Sequence, residues 1–235
     1  MKDLFGKAIL DYQTNNFTED LITSTSISDE DEMSIEYLFR KYEDMPLLEQ
    51  KAMQLATGKI LDIGCGAGSH SLYLQENNNA QIISIDISSN AIEACQLRGI
   101  KNAKVQDFML IENEKYDTIL LLMNGTGVCG KLEKLPAFLL KLKSLLQTGG
   151  KILIDSSDII YMFDEDEDGG KWISSDNEYY GELTFQISYK GVKEVPLDWL
   201  YLDYNTLQNA AFANGLKCEL IMEGEHYDYL AKLSL

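Results

Sequence analysis

Short apolar runs alternate along the chain with stretches in which apolar residues recur at helical spacing. The apolar runs predict five buried strands, at residues 59–63, 81–86, 103–105, 116–123 and 151–155. The helically spaced stretches between them predict helices at residues 69–77, 90–98 and 135–145. Strands that alternate with helices in this way indicate a parallel sheet with helices on both faces.

The N-terminal part of the chain departs from this alternation. Ser28, followed by acidic residues, is typical of a helix start, and apolar residues at helical spacing continue as far as Tyr42. A further helix is predicted from Pro46 to Gly58. We therefore expect a helical segment before the first strand of the sheet.

The C-terminal part also changes pattern after the fifth strand. Residues 182–190 alternate between apolar and polar positions, which predicts a strand paired in a hairpin or, alternatively, with a second subunit through its edge. A helix is predicted at 205–214. Residues 217–222 and 229–235 follow as two strands with a short connection, which favours an antiparallel pair.

Composition narrows the classes of protein that fit. The chain has 235 residues and a formal net charge of −18, so its field would repel a polyanion, and nucleic-acid partners are disfavoured. No apolar run approaches the roughly 18 residues that cross a bilayer, and the polar N-terminus is unlike a signal peptide. Four widely spaced cysteines favour a reduced, cytoplasmic protein, and two histidines exclude a multi-histidine metal site, so no metal is expected.

One stretch, KILDIGCGAGSHSLY at residues 59–73, joins a predicted strand to a predicted helix through three glycines. Gly64, Gly66 and Gly68 suit a sharp turn or a close approach of the backbone to a ligand. Ser69 is placed to cap the following helix, and it occupies the position of the third glycine in dinucleotide-binding loops. A junction of this kind forms the ligand crevice of an open α/β sheet.

Polar residues follow the next strands at the same edge of the sheet. Asp86 ends the second strand, where it can accept hydrogen bonds from both hydroxyls of a ribose. Asp107 follows the third strand, where it can accept from an adenine amino group, and Phe108 can pack on the ring and offer a backbone donor. The fourth strand leads into residues 123–125, the usual exit into a site.

In this order and spacing, the motifs resemble those of the class I S-adenosylmethionine (SAM)-dependent methyltransferases. The matching motifs are DIGCGAG at 62–68, ISID at 83–86, VQDF at 105–108, YDTILLLMNGTG at 116–127 and LLQTGGKILID at 145–155. The resemblance is strong over residues 55–155 and weak over 217–235. MNGTG stands where many members that methylate amides or amines in proteins or DNA carry a [DN]PPY-type motif, so that subgroup gains no support.

The resemblance implies an α/β fold, a three-layer Rossmann-like sandwich around a seven-stranded, mostly parallel sheet with an antiparallel last strand. Residues 51–157 would form the SAM-binding core, which residues 204–235 would complete. We expect residues 1–50 to form an N-terminal helical lid. Residues 158–203 would form a β insertion after strand 5 that caps the acceptor side.

Residue roles are also implied by the resemblance. The glycines would contact the methionine part of SAM, and Asp62 would orient their loop or meet the amino group. Asp86 would hold the ribose, and Asp107 and Phe108 the adenine. The expected cofactor-binding residues are Asp62, Gly64, Cys65, Gly66, Gly68, Asp86, Ile87, Asp107, Phe108, Met123 and Asn124.

The acceptor side is less well defined. Aromatic side chains with polar tips suit a substrate wall, but they suit equally well the packing of the insertion against the sheet. The candidates are Tyr12, Phe39, Tyr42, Asn124, Trp199 and Tyr201. No general base stands out. His70, in the first turn after the glycines, is a weak catalytic candidate, because a histidine on the surface of a helix is the commoner case.

We therefore expect a cytoplasmic methyltransferase that moves the SAM methyl group to an oxygen or nitrogen of a small-molecule acceptor. The expected state is a monomer or homodimer, without nucleic-acid or membrane partners. A non-catalytic SAM-binding or partner-binding module on the same fold is the alternative, because no base is evident. An NAD-linked dehydrogenase is less favoured, because Ser69 replaces the third glycine.

Overall fold

The computed structural model describes residues 2–77, 81–166, 168, 170–171, 173 and 179–235. Its α-helices are α1 (Leu4–Gln13), α2 (Leu47–Leu55), α3 (Ser69–Asn77), α4 (Ser89–Leu97), α5 (Leu135–Leu145) and α6 (Tyr204–Ala213). Its strands are β1 (Leu21–Thr25), β2 (Ser28–Met33), β3 (Lys59–Ile63), β4 (Gln81–Asp86), β5 (Ala103–Val105), β6 (Tyr116–Leu121), β7 (Leu146–Ser157), β8 (Glu182–Tyr189), β9 (Val192–Lys193), β10 (Leu197–Leu200), β11 (Lys217–Glu223) and β12 (Asp228–Ser234). None of the helices in these ranges has the length and apolar character that crossing a membrane requires.

Seven strands form the central sheet, in the order β11-β12-β7-β6-β3-β4-β5. The five strands from β7 to β5 run parallel to one another. The last strand of the chain, β12, lies antiparallel between β7 and β11. This topology confirms the predicted Rossmann-like fold with an antiparallel last strand.

The central strands are apolar because both faces of the sheet are covered. Leu61 in β3 and Ile119 in β6 are fully buried, in one cluster with Phe138 and Leu142 of α5. On the opposite face, Ile60 belongs to a separate cluster with residues of α2 and α3. Helices on both faces leave the carboxyl edge of the parallel strands as the place where a site can open.

A second sheet, which we call the cap sheet, has the order β10-β8-β1-β2, with β9 also paired to β8. Its strands come from two parts of the chain that are distant in sequence, because β1 and β2 form an N-terminal hairpin and β8 to β10 follow β7. Ile187 of the cap sheet shares a buried cluster with Ile9 of α1 and Ala94 of α4. Ala67 and Met123, which follow β3 and β6, join the same cluster. The cap sheet therefore packs against the carboxyl edge of the central sheet.

The helix predicted from Ser28 is wrong, because residues 28–33 form strand β2. Acidic residues suit a helix start, but they also suit an exposed edge strand, where charge discourages pairing with other chains. β1 supplies the partner for this strand, with Ile22 opposite Glu32. The apolar residues beyond β2 lie in two short 3₁₀ helices, Glu36–Phe39 and Tyr42–Asp44. The N-terminal segment is therefore a helix plus a hairpin.

Two local predictions change as well. Gly149 and Gly150 lie inside β7 rather than before it. The pairing register between β6 and β7 shifts at this point of the strand. The hydroxyl of Ser69 donates to the carbonyl of Leu38, 2.7 Å away, and thus ties the N-terminal segment to α3 instead of capping the helix.

Both edges of β8 are occupied within the chain. β1 pairs with one edge, and β10 and β9 pair with the other. The alternative in which this strand pairs with a second subunit is therefore wrong.

Candidate functional site

The loop after β3 presents two of its glycines to open space. Gly64 and Gly66 have φ values of +70° and +52°, and a Cβ added to either would have no atom within 4 Å. Gly68 has a φ of +80°, but an added Cβ would lie 2.2 Å from Ile100 Cδ1. The first two glycines therefore leave room beside the backbone for a ligand, whereas the third allows close packing inside the protein.

Asp86, at the end of β4, is fixed against this loop. Its Oδ2 accepts from the N–H of Gly66 at 3.0 Å, and its Oδ1 accepts from the N–H of Ser88 at 2.9 Å. Burial raises the pKa of the Asp86 carboxyl, against the lowering effect of these two N–H groups. The next residue, Ile87, is 62% exposed and leaves an apolar surface beside the carboxylate.

The residues after β5 divide between the surface and the core. Asp107 is exposed, and its carboxylate accepts from the N–H of Met109 at 2.8 Å. The ring of Phe108 is buried and meets Phe138 edge-on, with centroids 5.6 Å apart. The expectation that the Phe108 ring packs on a ligand is therefore wrong, and only the main chain of Phe108 is available at this strand end.

Asp62 lies beneath the glycine loop and is only 2% exposed. Its Oδ2 accepts from the Ser71 hydroxyl at 2.6 Å, and Ser71 is also 2.6 Å from the hydroxyl of Ser84. Burial raises the pKa of the Asp62 carboxyl, and the nearby His70 opposes that rise. The carboxylate thus joins β3, β4 and α3 below the loop.

The turn after β6 has an unusual backbone. Met123 and Asn124 are consecutive non-glycine residues with φ values of 66° and 58°, a conformation that costs free energy and is concentrated at functional sites. Asp155 at the end of β7 holds this turn, since Oδ2 accepts from the N–H of Met123 at 2.9 Å and Oδ1 from that of Gly125 at 2.8 Å. Burial raises the pKa of Asp155 to about 6.

The side chain of Asn124 connects three parts of the chain. Its Nδ2 donates to the carbonyl of Leu200 at 3.3 Å, and its Oδ1 accepts from the hydroxyls of Ser156 at 2.9 Å and Thr126 at 3.2 Å. These bonds join the turn to β7 and to β10 of the cap sheet. The amide is used within the protein.

Two of the aromatic candidates lie where β10 meets this turn. Trp199 packs on Gly127, where an added Cβ would lie 2.1 Å from the indole Cε2. Tyr201 is half-buried, and burial, with Tyr161 and Asp155 nearby, raises the pKa of its hydroxyl. The structure thus brings Trp199 and Tyr201 to the ends of β6 and β7.

The N-terminal aromatic candidates separate. Tyr12 and Phe39 pack together, with centroids 4.6 Å apart, and the Arg98 guanidinium lies 4.7 Å from the Phe39 centroid. Arg98 also donates to the carbonyl of Ala67, so this group borders the glycine loop. Tyr42 instead stacks on Tyr73 at 4.3 Å, in the cluster on the other face of the sheet, and the structure does not bring it to the loop.

A buried ionic network adjoins the start of α3. Arg40 donates to both carboxylate oxygens of Glu49, with Nη2 2.6 Å from Oε1 and Nε 3.1 Å from Oε2. His70 Nε2 is 2.9 Å from Glu49 Oε2. All three residues are at most 7% exposed, so His70 is not on the helix surface as expected. Burial would raise the pKa of Glu49, but His70 and Arg40 hold it below its usual value.

The cysteines and the other acidic groups add little chemistry. Cys65 Sγ lies 3.9 Å from Cys95 Sγ beneath the glycine loop, and this contact, together with burial, raises the pKa of the Cys65 thiol. A protonated, buried thiol is a poor nucleophile. Across the described ranges, no three His, Cys, Asp or Glu side chains are grouped in a way that could hold a metal ion.

Sequence reasoning missed three residues at this edge, namely Asp155, Glu49 and Arg40. Asp155 closes the apolar run of β7, as Asp86 closes that of β4. The rule that found Asp86 therefore also finds Asp155. Glu49 precedes Ala52 and Met53 by three and four residues on a buried helix face, where an isolated carboxylate needs a partner. No comparable pattern marks Arg40.

Comparisons with known proteins give one family. A family model described as a methyltransferase domain matches residues 55–225. The crystal structure of a SAM-dependent methyltransferase from Bacteroides fragilis in complex with S-adenosyl-L-homocysteine is similar with 46% identity and a TM-score of 0.91, over 100% of this chain and 95% of that one. No match was found among curated proteins.

More distant structures share the fold. DesVI from Streptomyces venezuelae is 16% identical with a TM-score of 0.57, over 84% of this chain and 91% of that chain. SAM-bound CalS10, an amino pentose methyltransferase from Micromonospora echinaspora involved in calicheamicin biosynthesis, is 11% identical with a TM-score of 0.55, over 84% of this chain and 93% of that one.

Proposed function

Because the chain belongs to the SAM-dependent methyltransferases, we propose that it moves the methyl group of SAM to an oxygen or nitrogen atom of a small-molecule acceptor. The chain is an enzyme, and SAM is its methyl donor. SAM supplies a methyl group already activated by the sulfonium, so the protein mainly has to align donor and acceptor. Alignment of this kind can lower a barrier by up to about 7–11 kcal/mol.

The open side of the glycine loop is the observation that supports the cofactor site most directly. Gly64 and Gly66 leave space where any side chain would project, and Asp86 is held beside that space by the Gly66 N–H. Each Asp86 oxygen accepts one N–H bond and keeps capacity for a ribose hydroxyl. In this assignment Asp107 and the Phe108 main chain meet the adenine, which lies against Ile87.

The acceptor would approach from the other half of the crevice, at the ends of β6 and β7. Trp199 and Tyr201 reach this region from β10, and the Met123–Asn124 turn forms its floor. Tyr12 and Phe39 border the glycine loop and would cover the cofactor from the N-terminal side. We propose that the cap sheet and α1 together enclose the acceptor, in place of a purely helical lid.

Charge supports a small acceptor over a polyanion. The net charge of −18 would repel nucleic acid, and carboxylates lie at or near the carboxyl ends of four of the five parallel strands, β3, β4, β5 and β7. A cytoplasmic location and a monomer or homodimer remain part of the same proposal.

Calorimetry with SAM and S-adenosyl-L-homocysteine tests the cofactor site. Asp86→Asn should bind both at least about 10-fold more weakly, because a hydrogen bond to a charged group contributes about 1.5–3 kcal/mol. Asp198→Asn removes an exposed carboxylate of β10 and is the matched control, with binding unchanged. Normal binding by the folded Asp86→Asn protein would place the ribose elsewhere.

Methyl-labelled SAM incubated with a small-metabolite extract tests transfer itself. The expected result is a labelled product of low mass. Tight SAM binding without transfer to any metabolite would instead favour the non-catalytic module.

A further inference from the structure

The Arg40–Glu49–His70 network is the one buried ion-pair network near the crevice, among the described residues, that the proposed cofactor contacts leave unused. Its members come from three places in the chain, namely the segment before α2, α2 itself and, beyond β3, the first turn of α3. Arg40 also donates to the carbonyl of Tyr37 at 2.8 Å and lies 4.2 Å from the centroid of that ring. A buried charge network is costly to maintain, which calls for an explanation beyond packing.

The Glu49 carboxylate determines which nitrogen of His70 carries a proton. Arg40 and His70 keep Glu49 ionised, and an ionised carboxylate can only accept hydrogen bonds. Nε2 of His70, 2.9 Å away, must therefore be the donor. In the neutral imidazole, the lone pair then lies on Nδ1.

Nδ1 is reachable from outside the protein. Among the described residues no hydrogen bond involves Nδ1, and no buried side-chain nitrogen or oxygen in that part of the chain lacks a partner. Nδ1 thus keeps some solvent-accessible surface, although the residue as a whole is only 7% exposed. His70 follows Gly68 by two positions, in the first turn of the helix that the glycine loop leads into, and its charge influences Asp62 directly beneath that loop.

The network lies toward the acceptor half of the crevice, because α2, which carries Glu49, packs in one buried cluster with Leu120 of β6 and Leu153 of β7. Glu49 is close enough to Asp155, which holds the turn after β6, to raise the pKa of that carboxyl. Burial raises the pKa of the Tyr37 hydroxyl; Arg40 lowers that pKa, and Glu49 and Asp155 raise it. By contrast, the proposed ribose and adenine contacts lie at the ends of β4 and β5.

We propose that His70 is the general base for the acceptor, acting through Nδ1, and that Glu49 is the positioning residue that fixes its tautomer. This inference rests on the proposed methyl transfer. Nδ1 removes the proton from an acceptor N–H or O–H, and the freed lone pair forms the bond to the methyl carbon. The carbon–sulfur bond breaks with its electron pair remaining on sulfur, and the imidazolium later releases its proton to solvent.

The first test measures the tautomer without any acceptor. The chain has only two histidines, His70 and His226, so ¹⁵N-histidine NMR of the intact protein shows the signals of two imidazole rings. The signals that disappear in His226→Asn belong to His226, which assigns the others to His70. The charged groups around His70 are Glu49 from α2, which contacts the ring, Arg40, which contacts Glu49, and Asp62 from β3. The expected neutral form carries its proton on Nε2, and Glu49→Gln should yield a mixture. A His70 ring protonated on Nδ1 would overturn the inference.

The second test compares transfer with binding. With methyl-labelled SAM and a small-metabolite extract, His70→Asn should lower kcat by about 10²–10⁴-fold and leave the calorimetric Kd for SAM within about threefold. Any pH dependence of transfer that arises from base catalysis should be absent in His70→Asn. His226→Asn, in the exposed turn before β12, should transfer normally.

The two tests distinguish a failure of the proposed role of His70 from a failure of the proposed methyl transfer. Unchanged transfer by His70→Asn would overturn the role of His70 while leaving the methyltransferase intact. Wild-type protein that binds SAM but labels nothing would contradict the proposed transfer, while the tautomer would still decide whether Nδ1 is the available base.

Discussion

At the scale of single residues, Asp155 has the most informative position at the edge of the sheet. It accepts main-chain N–H groups from both ends of a turn whose two left-handed residues lack the freedom of glycine. An apolar side chain there would leave those buried N–H groups without acceptors. The carboxylate therefore holds the turn in place, and burial accounts for its raised pKa.

The raised pKa of Asp155 predicts the direction of one pH dependence. The carboxyl has an ordinary value of 3.8 and a folded value of about 6, so between these values the folded state binds more protons than the unfolded state. Stability contributed by this group therefore falls as pH rises through that window. In urea unfolding, the unfolding free energy of the wild type should fall by about 3 kcal/mol relative to that of Asp155→Asn as the pH rises from about 4 to about 7.

The comparison is made as a difference between two proteins at each pH, so any constant penalty of the asparagine cancels. A difference in unfolding free energy that stays constant with pH would show that Asp155 titrates normally.

Residue roles near the loop were only partly predictable from sequence. The spacing of Gly64, Gly66 and Gly68 located the turn, but only the neighbouring atoms distinguish the two open glycines from the packed one. Glu49 and His70 are 21 positions apart, and nothing local to either residue reveals that they meet.

At the scale of elements, the central sheet was predictable because each strand and helix carries its own apolar period. Strand β2 was not, because its residues Ser28–Met33 are acidic and mostly exposed and become a strand only through pairing with β1. β1 is in turn held by β8, far along the chain. Tertiary pairing here overrides a local preference for helix.

Contact between elements yields a second prediction, at Gly127 beneath Trp199. In Gly127→Ala the added Cβ would meet the indole at 2.1 Å, so we expect a loss of about 1–3 kcal/mol in unfolding free energy. Methyl transfer should fall more than SAM affinity, because β10 lies on the acceptor half of the crevice.

Urea unfolding measures the loss of stability. Transfer of labelled methyl groups and calorimetry with SAM measure the fall in transfer and in SAM affinity. Adding Trp199→Leu to Gly127→Ala should restore most of the lost stability, since the smaller side chain frees the space. A double variant no more stable than Gly127→Ala would mean that the two groups do not compete for this space.

At the scale of the whole molecule, the net charge of −18 favours a cationic donor. SAM carries a sulfonium and an ammonium against one carboxylate, whereas S-adenosyl-L-homocysteine lacks the sulfonium and is neutral overall. Salt screens such attraction over about 10 Å at 0.1 M. We therefore expect SAM affinity to fall several-fold as salt increases from about 0.02 to 0.5 M.

S-adenosyl-L-homocysteine is the matched control, because it fits the same crevice without the extra charge. Its Kd should change little over the same titration. Equal salt dependence of the two ligands, measured by calorimetry, would show that the field of the protein does not contribute to donor binding.

The shared cap sheet also orders events during synthesis. Thr184 donates its N–H to Ser26, 158 residues away, and Lys2 donates to Glu194, 192 residues away. At about 5–20 residues per second, the N-terminal hairpin waits roughly 8–30 s for its partner strand to be made. The glycine loop and its neighbouring strands leave the ribosome within that interval, so a growing chain has its donor crevice before it has an enclosure for the acceptor.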